Sequence, residues 1–187
     1  MIRIRKTLFL ALLAFLGCSD GRPAGPPSDP IFSPEKILDT AYVKQRIDQG
    51  LNPNARNNAF TNQDCLLTYA VRHGAAETVR LLLSVGADVE IRSSGRSKTP
   101  LFQAAYDNQL QIAEILVEHG ADVNAVDMFG NNALREAIIG GENREMVRFL
   151  LQARCDPYHK NNDGESMAEI ANKYGTPEIQ KIISDGI

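Results

Sequence analysis

TPLFQAAYDNQLQIAEILVEHGADVN, residues 99–124, decides how the chain is organised. Apolar side chains at Leu101, Ala104 and Ala105, and again at Ile112, Ile115 and Leu116, recur at helical spacing. Thr99 stands where a helix takes its N-cap. Pro100 follows at the first helical position, where no N–H is needed. Gly120 stands where the second helix should end in a left-handed residue. The stretch therefore predicts two short helices joined by a tight loop at Asn108, a residue that tolerates left-handed geometry.

The pattern then repeats. CLLTYAVRHG from Cys65, NALREAIIGG from Asn132 and SMAEIANKYG from Ser166 align with TPLFQAAYDN, the four starts lying 34, 33 and 34 residues apart. VRLLLSVGADVE and VRFLLQARCDPY echo the second half, and VKQRIDQGLNPN is a partial copy ahead of them. Val79, Leu82 and Leu83 carry the second-helix stripe. Ala70, Ala104, Ala137 and Ala171 place a small residue wherever the two helices of a unit must approach closely. A helical period of this length implies a solenoid, in which each unit buries its apolar face only against its neighbours.

These segments resemble the ankyrin repeat. Thr99-Pro100-Leu101 matches its opening, and Gly86-Ala87-Asp88 and Gly120-Ala121-Asp122 match its close. The resemblance covers residues 34–187 and implies an all-α solenoid of stacked helix-turn-helix units with short protruding β-hairpins. It divides the body into an N-terminal cap at 34–57, full repeats at about 62–91, 96–125 and 129–158, and a C-terminal cap at 163–187. Four departures stand out. Arg154 replaces the closing Gly, so the turn there is either strained or of another shape. Asn108 replaces the short-loop Gly. Asn143 or a neighbour is inserted between the helices of the third repeat. The loop Asn54–Asp64 is about three residues longer than its counterparts.

Ahead of the repeats, Arg3, Arg5 and Lys6 precede the apolar run Leu8–Leu16, which is too short to span a bilayer. Residues 1–17 read as a secretory signal peptide. Leu16-Gly17-Cys18 resembles the lipobox of bacterial lipoproteins, although Phe15 and Leu16 are bulkier than is usual there. By that resemblance Cys18 is the lipid attachment site; the alternative is an ordinary secretory signal with a chance Cys. Ser19 stands where an Asp marks inner-membrane retention, so the expected address is the periplasmic side of the outer membrane. Residues 18–33 are rich in Pro and Gly and read as a disordered tether.

The chain carries a net charge of −3. Without the three basic residues of its first 17, it has 17 basic against 23 acidic side chains, a charge of −6. That balance argues against nucleic acid as a partner. The sequence contains no GxSxG, HExxH or phosphate-loop motif. His73 and His119 each precede a Gly that closes a helix or loop, a structural place, and no two of the three His share a repeat. No cofactor or metal is expected. Cys65 and Cys155 fall two repeats apart, too far for a disulfide, and are expected to be free, partly buried thiols.

The resemblance implies binding of another protein through hairpin tips and the concave face of the first helices. The residues that land there are Arg92, Arg96 and Lys98 on one tip, Met128 and Phe129 on the next, and His159 on the last. Tyr106, with Arg72 and Ile139 at matching places, lands on the concave face. Each has a plainer alternative as solvated loop or hairpin packing. The function expected is a binding module of the bacterial envelope, monomeric in isolation. One version is an immunity or inhibitor protein against a periplasm-acting toxin; another is a scaffold for an envelope or stress-related enzyme. The motifs support an enzyme or metal-binding protein least. Replacing Cys18 by Ser should leave an unprocessed precursor and abolish lipid labelling in cells. Normal processing of that variant would assign an ordinary secretory signal.

Overall fold

Helices pair wherever the repeat pattern pairs them. The computed structural model describes residues 30–56, 65–93, 95–140 and 143–185. The signal peptide, Cys18, most of the tether and residues 57–64 of the long loop lie outside the described residues. A 3₁₀ turn at Pro30–Phe32 leads into α1 (Pro34–Leu38) and α2 (Thr40–Asp48). The repeats follow as α3 (Leu66–Arg72) with α4 (Ala76–Ser84), α5 (Pro100–Tyr106) with α6 (Leu110–Glu118), and α7 (Ala133–Ile139) with α8 (Arg144–Gln152). The last pair is α9 (Met167–Tyr174) and α10 (Pro177–Asp185). First helices stack on first helices and second on second, giving the expected all-α solenoid. Among the described residues no helix is long and apolar enough to cross a membrane.

One core runs the length of the stack, from Ile31 to Ile183. Ala70, Ala104, Ala137 and Ala171 are completely buried, because a larger side chain there would push the paired helices apart. Val79, Leu82, Ile112, Ile115 and Leu116 fill the layer behind them. The folded body begins earlier than position 34: Ile31 and Phe32 are buried in the core, so the tether ends before them. The 3₁₀ turn that carries them packs on α1.

The repeats are held in register by a recurring side-chain bond. The Asn54 side-chain oxygen accepts from the Asp88 N–H of the next unit at 2.8 Å. Glu90 accepts from the Asp122 N–H at 2.9 Å, and Asn124 from the Asp156 N–H at 2.8 Å. Each of these Asp residues then accepts, through its carboxylate, the N–H two positions on. At the leading end, the Thr78 hydroxyl donates to the Ile37 carbonyl at 2.7 Å and ties α4 to α1.

Several local expectations change. The hairpins form no named strand among the described residues; only the isolated bridges Arg56–Cys65 and Lys160–Ser166 occur. The described tips are instead closed by isolated backbone bonds, as from the Asp127 N–H to the Asn131 carbonyl at 2.9 Å. Thr99 precedes α5 but makes no side-chain cap, and its buried hydroxyl has no partner. Ser166 does cap: it and Glu169 form a reciprocal capping box on α9. Those Ser166 bonds hold the Glu169 carboxyl below the usual carboxylate range. Arg154 keeps the shape of the Gly turns, at φ 67° beside 88° at Gly86 and 89° at Gly120. Asn108 is left-handed too, at φ 52°. Asn143 is buried and serves as the N-cap residue of α8, one residue later than its counterparts.

Ala104→Leu should overpack α5 and α6 and cost about 1–3 kcal/mol in urea unfolding. Arg154→Gly should gain about 0.5–1 kcal/mol, as relief of left-handed strain exceeds the added unfolded-state entropy. No gain from Arg154→Gly would show that the Arg side chain compensates its own strain.

Candidate protein-binding interface

Three successive hairpin tips are bonded into one edge. The Met128 N–H donates to the Arg96 carbonyl at 3.1 Å, and the Asn162 N–H donates to the Phe129 carbonyl at 2.9 Å. The Asp127 carboxylate fixes the middle tip by accepting from the N–H groups of Phe129 and Asn131, both at 2.9 Å. Gly130, at φ 75°, lies so close to Asn162 that an added Cβ would strike that residue's backbone and side chain. With the backbone held this way, Met128 and Phe129 still present 54% and 45% of their surface to solvent. The Arg96 guanidinium lies over the Phe129 ring, 5.7 Å from its centroid.

The other tip residues have inward jobs. Arg92 donates to the carbonyls of Ser97 at 2.9 Å and Val126 at 2.7 Å, bracing its own tip against the next. Lys98 pairs with the buried Glu136 at 3.2 Å and sits 5.6 Å from the centre of the Tyr106 ring. His159 shares a hydrogen bond with the Gly130 carbonyl at 3.0 Å. His119 bonds the Ile115 carbonyl at 2.8 Å through Nδ1 and finishes α6. Of the basic cluster read from the sequence, only Arg96 carries no ion pair or hydrogen bond through its side chain among the described residues.

Below the tips, the ends of the first helices form a row. Tyr106 closes α5, Ile139 closes α7 and Tyr174 closes α9, all exposed. Tyr174 escapes the repeat alignment, which places Lys173 opposite Tyr106. Helix α9 has 8 residues where α5 and α7 have 7, so its last residue falls one place later. Lys173 turns toward Glu165 at 3.2 Å, and its contacts with Tyr174 and Glu165 hold its ammonium above the usual lysine range.

Between the third and fourth tips and the ends of α7 and α9 lies a concavity of about 460 Å³. Phe129, Ile139, Ile170 and Tyr174 supply its apolar surface, and Arg96, Arg135 and Asp163 its polar rim. Its size lies within the range of sites that take a side chain or small ligand. Arg135 and Asp163 carried no functional signal in the sequence, because charged residues on helix surfaces and exposed turns are common.

Among the described residues, no group of three or more His, Cys, Asp or Glu side chains is placed to hold a metal ion. Among the described residues Cys65 and Cys155 form no disulfide, and both are buried more completely than expected. Burial pushes the Cys155 thiol up to about 12, so it stays protonated at neutral pH and is a poor nucleophile.

Stacked helix pairs with a bonded edge of tips define a helical repeat scaffold. The family model for ankyrin repeats, in three copies, matches residues 39–127, a span that includes most of the segment 34–57 read as a cap. Mouse B-cell lymphoma 3 protein homolog is 34% identical over 56% of this chain and 23% of its own length. A putative ankyrin repeat-containing protein of Treponema pallidum is 29% identical over 63% of this chain and 39% of its own length. Glycerophosphocholine phosphodiesterase gde1 of Schizosaccharomyces pombe is 35% identical over 53% of this chain and 8% of its own length. The chain thus spans well under half the length of these relatives. It belongs to the ankyrin-repeat family, whose repeats are protein–protein interaction modules rather than catalytic ones.

Arg92→Ala should destabilise the fold by about 1 kcal/mol, since it strips charge-assisted bonds from two carbonyls. Arg96→Ala should change stability by less than about 0.5 kcal/mol. Equal losses in urea unfolding would put Arg96 among the bracing residues.

Proposed function

We propose that this chain binds a single partner protein in the cell envelope, through its hairpin edge and the concavity beneath it. The observation that carries the reading is Phe129: a large aromatic ring on a rigid tip, half-exposed, under an otherwise unengaged Arg96. Aromatic and Arg side chains on a fixed backbone are the usual anchors of protein interfaces, because little ordering entropy is lost on binding. Met128 beside it adds adaptable apolar surface. Tyr106, Ile139 and Tyr174 extend the same face.

The envelope address rests on the basic start, the Leu8–Leu16 run and Cys18. A lipid at Cys18 would hold the repeats at a membrane surface through the tether, with the repeats themselves outside the bilayer. In that setting the role we favour is neutralisation of a toxin that acts in the periplasm, since a binding face without catalytic groups suffices to block one. A scaffold for an envelope enzyme needs the same face and differs only in the partner.

A photo-crosslinking amino acid placed at position 128 of the full chain should capture the partner in living cells. Against that partner, Phe129→Ala should weaken binding by at least about 1–2 kcal/mol, mostly through faster dissociation. Arg96→Ala should slow association in a salt-dependent way. Unfolding curves should stay close to those of the unaltered chain. A loss of stability equal to the loss of binding would make Phe129 a packing residue. If expressing the chain protects cells from the captured protein, the immunity role stands; if the captured protein is harmless and loses activity without the chain, the scaffold role replaces it.

A further inference from the structure

We propose that the concavity receives an extended segment of the partner in which an aromatic or large aliphatic side chain stands between an acidic residue and a basic one. The acid lies toward Arg96 and the base toward Asp163. This rests on the reading of that face as the binding site and adds the chemistry of what enters it.

The apolar centre follows from the walls. Ile139 and Tyr174 are exposed on one side, Phe129 is half-exposed on the other, and Ile170 closes the space between them. A large apolar side chain placed there removes all three from water at once.

The flanking charges follow from which groups are already engaged. Asp127 is held by two backbone N–H groups of its own tip. Glu136 is paired with Lys98 at 3.2 Å and Arg135 at 3.4 Å. Glu165 is paired with Lys173 at 3.2 Å. Two charges of the rim remain without an ion pair among the described residues. The Arg96 guanidinium, on the tip before that of Phe129, lies over the Phe129 ring and has no ion pair or side-chain hydrogen bond among the described residues. Asp163 uses its backbone N–H, bonded to Asn161 at 3.0 Å, while its carboxylate faces solvent. They have opposite sign, and they belong to the tips on either side of the one that carries Phe129. A guanidinium stacked on a ring keeps its planar edge free for a carboxylate. Asp163 in turn disfavours a second acid and favours a base, so a uniformly acidic or uniformly basic segment meets repulsion at one end.

The test is a selection of displayed random twelve-residue peptides on the immobilised full chain, repeated with Arg96→Glu, Asp163→Lys and Tyr174→Ala. The unaltered chain should enrich peptides with an aromatic or large aliphatic residue flanked by one acid and one base. Arg96→Glu should replace the acid by a base, and Asp163→Lys should replace the base by an acid. Tyr174→Ala should weaken the selected peptides by about tenfold. If peptides are selected and lost on Tyr174→Ala, but neither charge reversal moves their sequence, the charge order is wrong while the binding face stands. If no peptide is enriched, or the enriched ones ignore Tyr174→Ala, the concavity is not the binding face and both readings fall.

Discussion

A side chain of one repeat bonding the backbone of the next sets the register of this protein. Asn54, Glu90 and Asn124 each reach across a repeat boundary to an Asp N–H that has no partner within its own turn. Apolar stacking is nondirectional and would tolerate some sliding of one unit on another. A hydrogen bond at 2.8–2.9 Å does not, and three of them in series fix each boundary from α2 to α8. Because each unit touches only its neighbours, stability and shape both reduce to these boundaries.

The binding face is a consequence of that register. The ends of α5, α7 and α9 come to lie side by side only if the repeats are evenly stacked, and then Tyr106, Ile139 and Tyr174 form a row. The same stacking brings successive tips within hydrogen-bonding reach, so that Arg96, Met128, Phe129 and Asn162 form one bonded edge. Side chains on such an edge are placed before a partner arrives. That pre-organisation lets a small surface bind without a large ordering cost.

Much of this could be read from residue types alone. The helix pairs, the buried alanines and the left-handed glycines follow from periodicity and backbone sterics. Arg154 followed the neighbouring turns, since the contacts on either side of the boundary outweigh the strain of one left-handed residue. The site was less legible. Arg92, Lys98 and Arg96 look alike as a basic cluster, yet two of them are engaged by a carbonyl or a carboxylate of the next repeat, Val126 for Arg92 and Glu136 for Lys98. Tyr174 was hidden because its helix is one residue longer, which shifts it out of the alignment. Thr99 has the residue type of a helix cap, but its hydroxyl makes no bond to the N–H groups it was expected to satisfy. The engagement of Arg92 and Lys98 depends on Val126 and Glu136, 34 and 38 positions further along, which a local pattern does not contain.

The boundary bonds are open to direct measurement by amide hydrogen exchange. Asp88, Asp122 and Asp156 lie on exposed turns, where an N–H without a partner exchanges at the rate of an unfolded chain. All three amides should instead be protected, and Asn124→Ala should release Asp156 while leaving Asp88 and Asp122 slow. Exchange of these three amides at unfolded-chain rates in the unaltered protein would contradict the account, because among the described residues the neighbouring repeat's side chain alone accepts from them.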